Sequence, residues 1–225
     1  QGLGATNTAA LACGGSEPDN VKSAKTETWN GTNWTEVNDL NTTRNNIGGA
    51  GTNTAGICFG GQTPPGQQAD NIVTELWNGT NWTEVNNLNT GRYGPRGAGT
   101  QTAAVGFGGG LQGGTGTGAT ETWNGTNWTE VNDLNNARGE TAGCGTQAAA
   151  LCFTGNPFAN NSKKTESWNG TNWTATVDTN TGRILAGGAG TNTAALGFGG
   201  YTPSGVTAAT EEFTAGPTTV TFTDS

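Results

Sequence analysis

Apolar residues along this chain come in runs too short for globular helices, and the runs recur. Five stretches align on a Thr-Asn-Thr or Thr-Gln string: GATNTAALACGG from Gly4, AGTNTAGICFGG from Ala50, AGTQTAAVGFGG from Ala98, CGTQAAALCFTG from Cys144 and AGTNTAALGFGG from Ala189. In each, polar turn residues separate two stretches of small or apolar residues, and Gly-Gly ends the second stretch in all but one. That pattern predicts a hairpin of two strands, a and b. Their nearly continuous small or apolar character predicts strands covered on both faces, and small side chains suit a narrow centre. A second hairpin, strands c and d, is predicted by TETWNGTNWTEV from Thr26 and its copies from Thr74, Thr120 and Thr165. Asn-Gly is a strong hairpin signal because both residues tolerate positive φ. The spacing leaves the register open between a loop of Asn30 and Gly31 and a longer one ending at Asn33. In either register Glu27, Trp29 and Trp34 share a face, because side chains alternate along a strand and cross-strand partners lie together.

The string WNGTNW begins at Trp29, Trp77, Trp123 and Trp168 and contains all 8 tryptophans; a weaker copy, TEEFTAG, carries Phe213. A period of about 45 residues filled with short strands is that of propeller blades, small sheets that bury their faces by stacking on neighbours. The expected fold is therefore all-β, a five-bladed β-propeller with four short antiparallel strands per blade. It forms a single domain over 1–225, with approximate blades 1–43, 44–91, 92–137, 138–182 and 183–225, closed into one ring. One column of carboxylates recurs on the tryptophan face: Glu27, Glu75, Glu121, Glu166 and Glu211, beside Trp34, Trp82, Trp128 and Trp173 in the first four units. A basic column, Arg44, Arg92, Arg138 and Arg183, stands just before strand a of units two to five. Pairing the columns predicts interblade ion pairs lined by tryptophan, a device for specificity more than for stability. The matching Arg of unit one would lie upstream of Gln1, so the ring junction is expected to lack its ion pair, which marks a seam or a missing upstream segment.

The formal charge is −8 with only 9 basic residues, which argues against a phosphate-tracking surface and hence against nucleic acid as a partner. No run approaches the roughly 20 apolar residues that cross a bilayer, so membrane insertion is not expected. Methionine is absent and the chain starts at Gln1; a processed product or part of a longer chain, exported or carried on a virion, fits best. Histidine is absent, and Cys13, Cys58, Cys144 and Cys152 lack zinc-site spacing, so neither metal nor cofactor is expected. Cys144 and Cys152 fall on consecutive strands, where a three-residue loop would set them opposite each other. A disulfide there stands against the reading of buried free thiols.

Gly-Gly ending strand b, an aromatic ending strand c, TNW opening strand d and LNTxR leading into the next unit resemble the kelch repeat. Kelch units share a diglycine, a Tyr followed by a Trp, and a following Arg; Trp29, Trp77, Trp123 and Trp168 stand at the Tyr position. Departures are the scarcity of bulky aliphatics in strands a and b and the short c–d loop. The wording TETWNGTNWTEVNDLNT is also similar to kelch-like structural proteins of marine and cyanobacterial bacteriophages. That likeness implies a virion or extracellular location, with tail-fibre or adhesin roles.

The a–b and c–d loops are nearly constant, whereas the b–c loops differ in every unit, and alternation places b–c and d–a loops on one face. Variable loops on a rigid scaffold are the usual place of recognition, against the alternative of tolerated drift. Tyr93, Phe158 and Tyr201, with Arg96, Asp19 and Asp70 as polar partners, are the expected contacts. The constant face, rich in Asn and Thr, offers weak multivalent sugar sites as its own alternative. Catalysis has no visible carrier: strands a and b contain no Asp or Glu, Glu140 stands alone near an inner strand, and a glycosidase needs converging carboxylates. The expected function is a non-enzymatic recognition module binding a cell-surface glycan or protein. The alternative is a purely structural building block of a virion, fibre or filament, whose partners are copies of itself or other virion proteins.

Overall fold

The computed structural model describes residues 1–64, 71–156, 162–215 and 220–224. Asp70 and Phe158 lie outside them. Five antiparallel sheets follow one another in chain order, each of four strands. Blade 1 holds β1 (Gly2–Thr6), β2 (Ala9–Ser16), β3 (Lys22–Trp29) and β4 (Trp34–Val37), and blade 2 holds β5 (Gly48–Gly51), β6 (Gly56–Phe59), β7 (Thr74–Trp77) and β8 (Trp82–Val85). Blade 3 holds β9 (Arg96–Gly99), β10 (Ala104–Phe107), β11 (Thr120–Trp123) and β12 (Trp128–Glu130), and blade 4 holds β13 (Ala142–Gly145), β14 (Ala150–Phe153), β15 (Thr165–Trp168) and β16 (Trp173–Ala175). Blade 5 holds β17 (Gly187–Gly190), β18 (Ala194–Phe198), β21 (Thr210–Ala215) and β22 (Val220–Asp224), with a small hairpin, β19 (Tyr201–Thr202) and β20 (Gly205–Val206), set into its b–c loop.

The c–d hairpin takes the longer of its two registers: Trp29 faces Trp34, and Trp77 faces Trp82. The loop holds itself closed, since the Asn78 side-chain oxygen accepts from the amides of Thr80 and Asn81 at 2.9 and 2.8 Å. In blades 2 to 5 the a–b loop has four residues, not three. In blade 4, Gly145 pairs with Ala150 and Thr146 to Ala149 make the turn, so Cys144 faces Leu151 while Cys152 faces Gly143. A shift of one residue reverses a side chain's face. Cys144 therefore packs toward blade 5 and Cys152 toward blade 3, and of the two readings left open for this pair the disulfide falls: both are buried free thiols. Two other cysteines meet instead, Cys13 and Cys58, whose sulfurs approach to 3.0 Å across blades 1 and 2.

The apolar interior is divided into four clusters, each at one junction between consecutive blades. Between blades 2 and 3, Ile57, Phe59 and Leu88 meet Ala104, Trp123 and Trp128, and Phe59 stands edge-on to Trp128 with centroids 4.8 Å apart. The indole N–H of Trp128 crosses to the Thr74 hydroxyl at 3.0 Å, as Trp82 does to Thr26 and Trp173 to Thr120. Near the axis the first strands approach so closely that a Cβ on Gly97 would lie 2.5 Å from the Gly49 carbonyl oxygen. This is why the inner strands are built from small residues. Among the described residues no fifth cluster joins blade 5 to blade 1. Leu196 and Phe198 of blade 5 are 43% and 45% exposed and Trp34 of blade 1 is 49% exposed, whereas Ile57, Phe59 and Trp82 at the equivalent positions are at most 6% exposed. The expected closure into one ring is thus not made by these side chains.

Candidate functional site

The two charged columns meet as the spacing predicts. Arg44 pairs with Glu75 at 3.0 Å, Arg92 with Glu121 at 2.8 Å and Arg138 with Glu166 at 2.6 Å; Arg183 pairs with Glu211 in the same way. All eight side chains are essentially buried. Each pair sits at a blade junction, although its Arg precedes strand a of the blade whose strand c supplies the Glu. The linker completes the site: Glu75 also accepts from the amides of Asn41 and Thr42 and from the Asn41 side chain. Burial works against the charge on Glu166, but Arg138 and Asn135 outweigh it and hold the carboxyl below its ordinary value. The Nε atoms of Arg44, Arg92 and Arg138 stay without a hydrogen-bond partner, and the pairs, expected between blades, instead pin each linker onto the blade that it enters; they are scaffold. Trp29, Trp77, Trp123 and Trp168 are scaffold as well, each donating its indole N–H to an a–b loop carbonyl, that of Asn7, Asn53, Gln101 and Gln147.

The d–a linkers and b–c loops do share a face, and they are tied together. Isolated bridges join Asn45 to Gln62, Tyr93 to Gly110, Gly139 to Asn156 and Ile184 to Tyr201. Inside this double rim lies a cavity of about 690 Å³, walled by the glycine-rich first strands of all five blades and lined at its rim by Asn46, Tyr93, Arg96, Glu140 and Leu185. Four equivalent linker positions, Asn46, Gly94, Glu140 and Leu185, have positive φ of 49, 61, 53 and 55°. Left-handed backbone at non-glycine residues is strained, and such strain gathers at functional positions. The kinks are chained by backbone bonds, Gly94 to the Asn46 carbonyl at 2.6 Å and Leu185 to that of Glu140 at 3.0 Å.

Of the sequence candidates, Tyr93 and Arg96 stand together in this cavity. Arg96 donates to the carbonyls of Thr141 and Ala186, spanning blades 3, 4 and 5. Tyr201 is 49% exposed on the outer rim and Asp19 is exposed in the b–c loop of blade 1; neither lines the cavity. Asn46, Glu140 and Leu185 were not among the expected contacts. A signal for them was present, because the two residues after each constant Arg read Asn-Asn, Tyr-Gly, Gly-Glu and Ile-Leu, variation as great as that of the b–c loops. Burial raises the Glu140 carboxyl above its ordinary value, opposed by a hydrogen bond to Asn156. The rim therefore offers an aromatic ring, a cation, an amide, an aliphatic side chain and one carboxyl inclined to hold its proton.

No protein-family model and no curated protein sequence matches this chain. Among solved structures it is similar to YjhT, with a TM-score of 0.81 and 13% sequence identity over 96% of this chain and 81% of that chain. At that identity the likeness bears on the propeller fold and nothing finer; the count of five four-stranded blades is read from this chain's own sheets.

Proposed function

We propose that this propeller is a non-enzymatic recognition module of a virion or cell surface, tail-fibre-like or adhesin-like, that takes a glycan or a protein segment at the d–a and b–c face. The observation that carries the proposal is the ring of unlike residues, Asn46, Tyr93, Glu140 and Leu185, set on otherwise constant linkers around one cavity. An aromatic face beside amide, guanidinium and carboxyl groups suits the alternating apolar and hydroxyl surfaces of a sugar. A binding role is favoured over hydrolysis because Glu140 is the single carboxylate among the cavity residues, and glycosidic cleavage employs two. The resemblance of the repeat to kelch units and to phage structural proteins belongs to this proposal and supports the location.

A glycan array probed with the purified chain at high density tests the reading. Binding to a related set of sugars, lost in Tyr93→Ala and weakened in Glu140→Gln while Tyr201→Ala has a smaller effect, is the expected result. Binding retained in both cavity variants and lost in Tyr201→Ala would move the site to the outer b–c rim; silence across the array and across peptide display would remove the recognition role.

A further inference from the structure

Strand b carries two adjacent positions that meet across each blade junction. The later of them is Cys13 in blade 1 and Phe59, Phe107, Phe153 and Phe198 in blades 2 to 5; the earlier is Ala12, Cys58, Gly106, Cys152 and Gly197. The Phe of one blade lies over the earlier position of the next. A Cβ on Gly106 would stand 2.8 Å from the Phe59 ring and one on Gly197 2.7 Å from the Phe153 ring, and Phe107 packs in one cluster with Cys152. At the first junction the same two positions are Cys13 and Cys58, and their sulfurs stand 3.0 Å apart. That is inside the roughly 3.5–4.0 Å at which even carbon atoms rest in contact, and within about 1 Å of the length of a disulfide bond.

Packing alone does not account for Cys13. Cys152 accepts a Phe across the third junction, so the thiol of Cys58 leaves room for a Phe opposite it. Cys in that place removes the edge-on Phe–Trp contact that joins blades 2 and 3 at 4.8 Å and blades 3 and 4 at 5.0 Å. Among the described residues no Phe stands beside Trp82 in the first junction. This junction therefore lacks one contact that its neighbours have and holds two sulfurs where that contact would be. Leu3, Leu40 and Trp82 close around the pair, and both thiols are buried. The hydrogen bond from Cys58 holds the Cys13 thiol below its ordinary value, with the Arg44 guanidinium acting in the same sense and burial opposing them, so Cys13 is the sulfur that ionises first. The other two cysteines have different neighbours: Cys144 faces the Thr191 carbonyl and Cys152 the Arg138 guanidinium.

We propose that Cys13 and Cys58 form a modification site, an interblade disulfide made when the folding chain meets a low-molecular-weight disulfide such as oxidised glutathione. The Cys13 thiolate attacks one glutathione sulfur and expels the other glutathione as a thiolate. The Cys58 thiolate then attacks the Cys13 sulfur of the mixed disulfide and expels the second glutathione. The protein gives up two protons and two electrons, and the oxidant leaves as two glutathione thiols. The bond links residues 45 apart in sequence and fixes blade 1 on blade 2 where the Phe–Trp contact is missing. It is independent of the ligand-binding role of the cavity.

The test refolds the 225-residue chain from urea in buffered oxidised and reduced glutathione, alkylates the remaining thiols and maps tryptic peptides of the monomer without reductant. Cleavage after Lys22, Arg44 and Arg92 puts Cys13 in residues 1–22 and Cys58 in 45–92, whereas Cys144 and Cys152 share 139–163. The expected result is 1–22 joined to 45–92, with both cysteines of 139–163 alkylated. An unfolded chain favours the shorter loop between Cys144 and Cys152, since closure entropy grows with loop length, so the choice of partner reports the folded junction. The melting midpoint should rise by roughly 4–16 °C over the reduced chain, a rise reversed by dithiothreitol and absent in Cys13→Ala and Cys58→Ala. The peptide map is made on the native sequence and stands whether or not those variants fold. Four alkylated thiols in excess oxidised glutathione, a bridge within 139–163 instead, links only between chains, or a bridge that lowers the midpoint would each overturn the proposal.

Discussion

Replacing Arg138 by Met tests what the buried ion pairs do. Methionine keeps most of the aliphatic stem, so the change removes mainly charge and donors: the 2.6 Å bond to Glu166 and the bonds to the carbonyls of Asn136 and Cys152. Glu166 keeps the amide and side chain of Asn135 on one oxygen at 2.8 Å each, but its other oxygen retains only the 3.3 and 3.5 Å contacts to Asn136. A carboxylate left buried in this way costs about 3–5 kcal/mol. For a chain of this size that lowers the melting midpoint by roughly 6–20 °C. The double variant Arg138→Met with Glu166→Met should recover most of the loss, because no charge then remains to be solvated.

The pH dependence carries the sign. In the native protein the Glu166 carboxyl titrates below its ordinary value, so its contribution is present above that ordinary value and is lost as pH falls through the lowered one. Without Arg138 burial dominates and the carboxyl should move above its ordinary value; stability is then greatest in acid and lost as pH rises through the raised value. Urea titrations followed by tryptophan emission between pH 4 and pH 8 read both effects. A loss below about 1 kcal/mol, the size of a surface pair, or an unchanged pH slope, would refute the assignment of these pairs as desolvated locks between linker and blade.

Two chemically identical truncations should differ sharply: Trp77→Ala, at a fully buried site, should cost about 3–5 kcal/mol, whereas Trp34→Ala, half exposed at the seam, should cost less than about 1 kcal/mol, both measured by urea unfolding. Asn78→Ala removes the acceptor of two loop amides and should cost about 1 kcal/mol, with Asn124→Ala giving a similar value in the next blade. Native protein should resist alkylation at Cys144, whose thiol burial pushes up to about 12, and mass spectrometry without reductant should find no Cys144–Cys152 bridge; recovery of that bridge would contradict the four-residue a–b turn. Burial raises the Glu140 carboxyl, so its cost is absent at pH values below the ordinary carboxylate value and grows as pH rises through the raised one. Glu140→Gln should therefore be more stable than the native chain at pH 7 and equal to it in acid; equal stability at both would show the carboxyl to be well solvated.

The blade was legible in the sequence almost strand by strand. Alternation put Glu27, Trp29 and Trp34 on one face whatever the loop, and recurrence of one Glu and one Arg column from unit to unit identified pairs that do meet. Such features are local, or are copied so often that pattern stands in for distance. The possible Cys144–Cys152 bridge, one of two readings, fell at a local step, one residue in a turn, because period-two alternation turns a one-residue shift into a change of face. The cavity rim was half legible: the variable residues after each Arg are visible in the chain, but the left-handed kinks that set Asn46, Glu140 and Leu185 around one cavity arise only when linkers from successive blades bond to one another.

Closure lay further still from the sequence. The junction chemistry repeats from unit to unit, with Cys13 in place of the Phe in blade 1 and Phe213 in place of the first Trp in blade 5, so the sequence by itself determined what a blade is and what its two faces require. Whether the last face reaches the first depends on the angle between neighbouring blades, accumulated over four junctions and set by how far Gly49, Gly97, Gly143 and Gly188 let the inner strands approach while Phe–Trp packing holds the outer parts apart. No single repeat encodes that sum. Only the assembled arc decides it, and it leaves Leu196, Phe198, Trp34 and Glu27 uncovered at the seam.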